Sequence, residues 1–119
     1  MKLRTNHVYI FYDFPVVFLA ANEEGDNFIC LFVKEEDSSL KYICKQISDF
    51  TLMILENNQT DIRSIFTCAG TIYCFCLNAQ SGAPFEAIKT TEDITPFLPE
   101  KGMFIGMQDD NSLSLQVSS

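Results

Sequence analysis

The chain has one histidine, and its position decides which nucleophilic chemistry the sequence can support. A Ser or Cys nucleophile usually needs a base beside it, and His7 lies near the N-terminus, where chains are commonly loose. A catalytic triad of the usual kind is therefore not predicted. His7 is interpreted as a surface or strand-edge residue.

Thiol chemistry is also weakly indicated. The cysteines are five, an odd number, and no C-x2-C spacing typical of a zinc site is present. Cys74 and Cys76 share one face of a predicted strand with Cys68 nearby, so a three-thiolate site is the alternative. Apolar surroundings such as FICLFV favour small core residues instead. We predict no metal and no cofactor.

Acidic residues are grouped, and all the groups lie in predicted turns: Glu23, Glu24 and Asp26; Glu35, Glu36 and Asp37; Glu92 and Asp93; Asp109 and Asp110. General acid–base catalysis needs a carboxyl whose pKa is shifted by burial or by a neighbour, and turn residues are normally solvated. No catalytic residue is predicted, and the chain is not expected to be an enzyme.

Asp13 stands apart because it lies between Tyr12 and Phe14, in an apolar neighbourhood, and before Pro15. A carboxylate there needs a donor, either backbone amides of the bend or the guanidinium of Arg63. A structural role, in which a half-buried Asp13 pins a bend, is favoured over a catalytic one. Asp61 and Arg63 are predicted to be structural polar residues too.

Composition bounds the class of protein. A chain of 119 residues with 47% hydrophobic and 20% charged residues predicts one globular domain, 1–119. The net charge of -8 opposes binding to nucleic acid or to an anionic membrane, since both attract basic proteins. A charge of this size is also ordinary for solubility.

The first 22 residues have the order of a secretory signal, with a basic start, an apolar stretch and small residues. Asn6, His7, Asp13 and Pro15 interrupt the apolar stretch, however. A cytoplasmic location is predicted.

Apolar runs and turn signals predict an α+β fold. Residues 8–12 and 16–22, separated by Pro15, then 27–34 and 40–47 read as an antiparallel β-meander, with two short helices inserted after its third strand. Ser48 is the expected N-cap of the first helix, whose apolar face is Phe50, Met53 and Ile54; Thr60 is that of the second. Strands are predicted at 71–77 and 85–90, and a last one at 103–107 or 113–117.

Two of the strands are apolar at every position, 28–33 and 72–77. Such strands need cover on both faces of the sheet, and two short helices can shield only one. The sequence therefore suggests that sheet curvature, the C-terminal segment or a second chain closes the other face.

Three segments, YDFPVVFLAANEEGDNFICLFV, YICKQIS and TDIRSIF, resemble an uncharacterised bacterial family of small domains. The pattern is Y-D-x-P before an apolar strand, an acidic turn with glycine, and a later D-[LI]-R-x-x-F. The matching positions are Tyr12, Asp13, Pro15, Gly25, Asp61, Ile62, Arg63 and Phe66. The resemblance supports the fold, implies a bacterial or phage origin, and implies no substrate.

These observations favour a small acidic binding protein that occupies the surface of a basic partner protein, in an immunity, anti-defence or regulatory role. Its partner-binding residues are predicted to be Glu23, Glu24, Asp26, Glu35, Glu36 and Asp37. A homodimer or other homo-oligomer that closes its own sheet is the first alternative. A ligand-binding or enzymatic pocket between helices and sheet, with Asp13, Arg63 and Tyr73, is the second.

Overall fold

Seven strands and two α-helices make up the chain in a computed structural model that describes residues 1–77 and 85–102. In chain order they are β1 (Lys2–Phe11), β2 (Pro15–Ala21), β3 (Asn27–Glu36), β4 (Ser39–Ile47), α1 (Asp49–Glu56), α2 (Ile62–Thr67), β5 (Ile72–Leu77), β6 (Phe85–Glu86) and β7 (Ile88–Lys89). A 3-10 turn at Thr95–Phe97 follows. The expected last strand and the Asp109–Asp110 pair lie outside the described residues.

One antiparallel sheet contains all seven strands, in the order β6-β1-β2-β3-β4-β5-β7. Its two ends come together through the segment 85–89. Glu86 pairs with Lys2 of β1, Lys89 pairs with Tyr73 of β5, and the Ala87 amide between them donates to the Met1 carbonyl oxygen at 2.7 Å. The sheet is therefore nearly closed into a barrel.

The antiparallel sheet and the two helices of the prediction are confirmed, but the position of the helices is wrong. They follow the fourth strand, because the chain on either side of Pro15 forms two full strands that pair as a hairpin, with Val8 opposite Phe18. β1 also begins at Lys2, well before the expected residue 8. The fold is mostly β, with two helices, rather than clearly α+β.

Aromatic side chains fill the concave side of the sheet. We call this group the inner cluster: Leu3, Phe18, Ala20, Phe28, Cys30, Leu40, Tyr42, Cys44, Phe75, Phe85 and Ala87. The Phe18 ring meets the edge of Tyr42 at 5.3 Å between centroids, and Phe75 stacks on Phe85 at 4.2 Å. Such offset and edge-to-face contacts add to the free energy of burial.

Aliphatic side chains occupy the other side of the sheet, beneath the helices. We call this group the outer cluster: Val17, Leu19, Ile29, Leu31, Ile43, Ile47, Leu55, Ile62, Ile65, Phe66 and Ile94. The inner and outer groups alternate along β3, as the period of two in a strand requires. Both faces of β3 are thus covered by the same chain at Phe28, Ile29, Cys30 and Leu31.

Of the three suggested ways to cover the second face, curvature of the sheet is the one that covers β3, so this strand needs no second chain. Closure of the sheet supplies the cover on one face and the helices supply it on the other. β5 is different, since only Phe75 of this strand is buried, and Cys76 is exposed.

The helix caps follow local chemistry. Ser48 caps α1 as predicted, accepting from the Thr51 amide at 3.1 Å. Asp61, rather than Thr60, caps α2, because its carboxylate accepts from the Ser64 amide at 2.8 Å. The apolar face predicted for α1 is wrong: Phe50 and Met53 are 67% and 50% exposed.

Candidate partner-binding surface

Two hairpin tips lie together at one end of the sheet. In an antiparallel sheet the β1–β2 and β3–β4 connections fall at the same end, and only β2 separates β1 from β3, which places the tips about 10 Å apart laterally. We define the hairpin end as Phe11, Tyr12, Asp13, Glu35, Glu36, Asp37 and Ser38. This end of the sheet therefore carries both aromatic and acidic side chains.

Phe11 and Tyr12 are the exposed aromatic residues of the hairpin end. Their exposed fractions are 65% and 76%, although both residues are large enough to belong in a core. Single exposed hydrophobic residues are normal on protein surfaces, but two adjacent rings on a tip form a compact apolar contact area.

The residues next to these two rings are held in place by two contacts with the sheet. Next to them, Phe14 packs against Phe32 of β3 at 4.6 Å between ring centroids. The Tyr42 hydroxyl, from the inner cluster, donates to the Pro15 carbonyl oxygen at 2.5 Å. These two contacts tie the β2 side of the β1–β2 turn to the barrel.

Backbone geometry at the hairpin end is unusual. Asp13, Asp37 and Ser38 have φ of 64°, 50° and 67°, in the left-handed region that favours glycine. Asp37 and Ser38 are the two central residues of a tight hairpin, between the paired Glu36 and Ser39. Polar residues there project outward at some cost in backbone free energy.

Negative charge is in excess at this end. Lys34 Nζ pairs with Glu36 at 3.3 Å, whereas Glu35 and Asp37 form no ion pair within the described part of the chain. Asp13 is exposed on the neighbouring tip. A basic surface would complement this arrangement.

The other predicted acidic group, Glu23, Glu24 and Asp26, lies at the opposite end of β3, roughly 30 Å away along a ten-residue strand. The Asn22 side chain organises this turn, since its oxygen accepts from the amides of Glu24 and Asp26 at 3.0 and 2.9 Å. The six predicted partner-binding residues thus form two separate groups.

The structure does not bring together the polar residues expected to line a pocket. Asp13 is exposed rather than half-buried, which corrects that expectation, and Arg63 donates from Nη1 to the Pro99 carbonyl oxygen at 3.3 Å. Tyr73 lines a pocket at the far end of β4. The three side chains lie in different parts of the fold.

Asp61 joins α2 to the segment that follows the 3-10 turn. Besides capping α2, its carboxylate accepts from the Gly102 amide at 2.8 Å. These hydrogen bonds, from Ser64 first and then Gly102, lower the pKa of Asp61 from 3.8 to about 2. A structural role is what this geometry supports.

Sequence reasoning missed two features. The first is the exposure of Phe11 and Tyr12, although three aromatic residues within four positions of a turn exceed what a tip can bury. Lys45 was not singled out, yet its side chain is buried on the helix side of the sheet. A lone lysine inside the strand YICKQI was the available signal.

Residues 1–77 and 85–102 contain no group of three His, Cys, Asp or Glu side chains arranged to hold a metal ion. Neither described α-helix has the length and hydropathy needed to span a membrane.

Comparison with known proteins places the chain in a family. No curated protein and no solved structure matches it. A family model does match, over residues 1–118, which is nearly the whole chain. The resemblance to a family of small domains without an established activity is thereby confirmed: the chain belongs to the Family of unknown function (DUF6575).

Proposed function

We propose that this protein is a small acidic cytoplasmic binding protein, not an enzyme, which occupies a basic surface of a partner protein through its hairpin end. The observation that carries the proposal is the exposure of Phe11 and Tyr12 at the end of the sheet that also carries Glu35 and Asp37, two acids with no ion pair among the described residues. An immunity, anti-defence or regulatory role would use such a surface directly.

The combination suits protein recognition for two separate reasons. Aromatic side chains are enriched at the centres of interfaces, where they fill pockets and lose little conformational entropy. Surrounding charges of one sign speed association with a partner of opposite sign and select against wrong partners. The net charge of -8 supports the same steering.

The acidic turn with Glu23 and Glu24 contributes in a different way. It carries no aromatic residue, and it lies at the far end of β3. We expect it to add to the long-range field of the protein without touching the partner. This difference provides a matched control.

The test compares three variants of the full chain. One is Phe11→Ser with Tyr12→Ser, the second is Glu35→Lys with Glu36→Lys, and the third is Glu23→Lys with Glu24→Lys. The wild type is first used to capture and cross-link a partner from the native cell, and association with that partner is then measured at low and high salt.

We expect the aromatic variant to dissociate faster and the Glu35/Glu36 variant to associate more slowly at low salt. The Glu23/Glu24 variant should keep the dissociation rate and lose a smaller part of the association rate. Equal losses from both ends of β3, or full binding by the aromatic variant, would contradict the assignment of the hairpin end.

Self-association is a second candidate, favoured by a specific observation on α1. Phe50 and Met53, three positions apart, share the outward face of this helix and are 67% and 50% exposed. Light scattering over a range of concentrations would show a dimer that Phe50→Ser with Met53→Ser dissociates. A wild-type chain that stays monomeric throughout would exclude this candidate.

A further inference from the structure

Cys30 and Cys44 form a pair of facing cysteines inside the closed sheet. Cys30 lies on β3, Cys44 lies directly opposite on β4, and both side chains belong to the inner cluster. Both are free thiols with an exposed fraction of 0%. A single buried cysteine acts as a small apolar residue of the core, but two cysteines at one paired position can also form a covalent bond with each other.

The register of β3 and β4 places these two residues within bonding range. Residues directly opposite in an antiparallel pair have Cα atoms about 4.5 to 5.5 Å apart. A disulfide needs a Cα separation of about 4.4 to 6.8 Å, so a pair of this kind already has the backbone spacing of a disulfide. The register holds on both sides, since Leu31 faces Ile43 and Ile29 faces Lys45.

The same burial protects the pair while the sheet is closed. Burial first, and then the neighbouring Cys44 thiol, raises the pKa of the Cys30 thiol. The thiolate is the nucleophilic form of cysteine, and neither sulfur is open to solvent, so reaction requires a transient separation of strands at this point. Cys68 and Cys76, by contrast, are exposed, and Cys74 is partly exposed.

We propose that Cys30 and Cys44 are a reversible disulfide site, which cross-links β3 to β4 when the protein meets a small-molecule disulfide such as oxidised glutathione. The cross-link would close residues 30–44 into a ring around the turn at Asp37 and Ser38. Where glutathione is kept reduced, the pair stays as two thiols. The site lies inside the barrel and does not depend on the proposed partner.

The reaction takes two exchange steps. In the transiently open sheet, one cysteine thiolate attacks a sulfur of oxidised glutathione, which forms a mixed disulfide and releases one glutathione thiolate. The second cysteine thiolate then attacks the protein sulfur of the mixed disulfide and releases the other glutathione. Two protein thiols thus lose two electrons and two protons, and one oxidised glutathione gains both to become two reduced molecules.

The inner cluster favours completion of the second step. A tripeptide attached to Cys30 or Cys44 would have to lie among the buried aromatic side chains of this cluster, so the sheet cannot close around the mixed disulfide. A direct bond between the two sulfurs adds no atoms to the core. Closure of the sheet therefore selects the disulfide over the glutathione adduct.

Folding and disulfide formation should favour each other by the same factor. In the chain-entropy model, a cross-link that closes a loop of about 15 residues raises the ratio of folded to unfolded protein on the order of 100-fold. Because the two equilibria form a thermodynamic cycle, the folded chain should form the disulfide more readily than the unfolded chain by that factor.

The test equilibrates the full chain in graded mixtures of reduced and oxidised glutathione, with and without denaturant. A variant with Cys68→Ala, Cys74→Ala and Cys76→Ala keeps the facing pair alone, and the wild type is measured beside it. Equilibrium is approached both from the reduced folded protein and by refolding the reduced chain in each mixture, so that slow access to the buried thiols does not limit the result.

Mass spectrometry locates the bond after acid quenching and alkylation of the remaining thiols. Trypsin should release residues 5–34 joined to residues 42–45, from the wild type as well as from the variant. We expect half-oxidation of the folded variant at a value of [GSH]²/[GSSG] on the order of 100-fold higher than in denaturant. Dithiothreitol should return the protein to the thiol form.

Cys30→Ala in the same background is the matched control, because it leaves Cys44 buried without a facing thiol. We expect this variant to stay a thiol while folded. The proposal would be overturned if no bond formed between Cys30 and Cys44 from either starting state, if the folded sheet favoured that bond less than tenfold over the unfolded chain, or if the wild type oxidised only through its other cysteines.

Discussion

The inner cluster and the hairpin end use the same residue types for opposite purposes. Phe18 and Tyr42 are fully buried in edge-to-face contact, whereas Phe11 and Tyr12 are mostly exposed on a tip a few residues along the chain. A buried ring stabilises the fold, and an exposed ring contributes little to stability but keeps its apolar area available for a partner. Whether a ring is buried depends on whether it lies inside the closed part of the sheet, and not on its residue type.

The backbone differs in the same way between the two regions. Beneath the inner cluster, β2, β3 and β4 pair in regular register as far as Phe32, with Cys30 opposite Cys44 and Leu31 opposite Ile43. The hairpin end instead holds three non-glycine residues at positive φ. Unfavourable conformations of this kind concentrate where function constrains a residue, which is consistent with a recognition role.

The largest effect should come from the inner cluster. Phe18→Ala removes a ring that meets Tyr42, Phe75 and Phe85, and it leaves a cavity that the closed sheet cannot collapse around. We expect the free energy of unfolding to fall by about 4 kcal/mol, as for other large aromatic truncations. Chemical denaturation measures this loss.

Phe50→Ala, on the exposed face of α1, is the matched control and should change stability by less than about 0.5 kcal/mol. If the two substitutions had similar effects, the inner cluster would not be the closed core described here.

Much of this core could be predicted from the sequence. The runs FICLFV and YICKQI, bounded by a turn at Gly25 and by polar residues, identified β3 and β4 because strands alternate with turn signals at this spacing. The closure by β6 and β7 could not be predicted, since two-residue strands have no period and β6 pairs with β1, 82 and 84 positions earlier in the chain. The burial of both faces of the sheet depends on that closure.

The buried face of α1 and the exposure of the aromatic residues at the hairpin end could not be predicted from the sequence either. In α1, five of eight residues are apolar, so periodicity alone cannot choose between Phe50 and Met53 on one side and Leu52 and Leu55 on the other. The acidic turns were identified because turns are solvated. The exposure of Phe11 and Tyr12 follows from where the β1–β2 hairpin ends relative to the barrel.

Tyr42 connects the inner cluster to the hairpin end, because its ring packs in the cluster and its hydroxyl bonds Pro15. Removing the hydroxyl alone therefore tests this connection without removing the ring. Tyr42→Phe keeps the ring in the inner cluster but leaves the Pro15 carbonyl oxygen without its donor. We expect a loss of about 1 kcal/mol, the usual net value of one hydrogen bond, together with faster amide exchange at residues 11–15 and unchanged exchange in β3.

The same variant has a defined pH dependence. Burial raises the pKa of Tyr42 from 10.0 to about 12, so the folded state holds this proton more tightly than the unfolded chain does. Its contribution is complete below pH 10 and is lost as the pH rises through about 12. The stability difference between wild type and Tyr42→Phe should shrink over that interval. A constant difference would show that the hydroxyl is not buried in the folded state.

Backbone strain at the hairpin end predicts a gain in stability. Ser38→Gly replaces a residue at φ of 67° with one that adopts this conformation without steric cost, which should stabilise the fold by about 1 kcal/mol. Thermal unfolding measures the gain. Ser39→Gly, in the adjoining strand, is the control and should destabilise, because Ser39 has a paired strand position and its hydroxyl donates to the Glu36 carbonyl oxygen. A loss from both substitutions would mean that the tip is not strained.

The smallest effect on stability should come from the exposed rings themselves. Phe11→Ser with Tyr12→Ser removes about as much aromatic surface as a core substitution would, yet most of that surface is already in contact with water, so the free energy of unfolding should change by less than about 0.5 kcal/mol. The measurement is denaturant unfolding beside Phe18→Ala. A loss of several kcal/mol would show that the two rings pack as part of the core. Near-neutral stability, with loss of binding to a captured partner, would show that this end of the barrel retains aromatic residues for recognition, at positions where the fold itself does not need them.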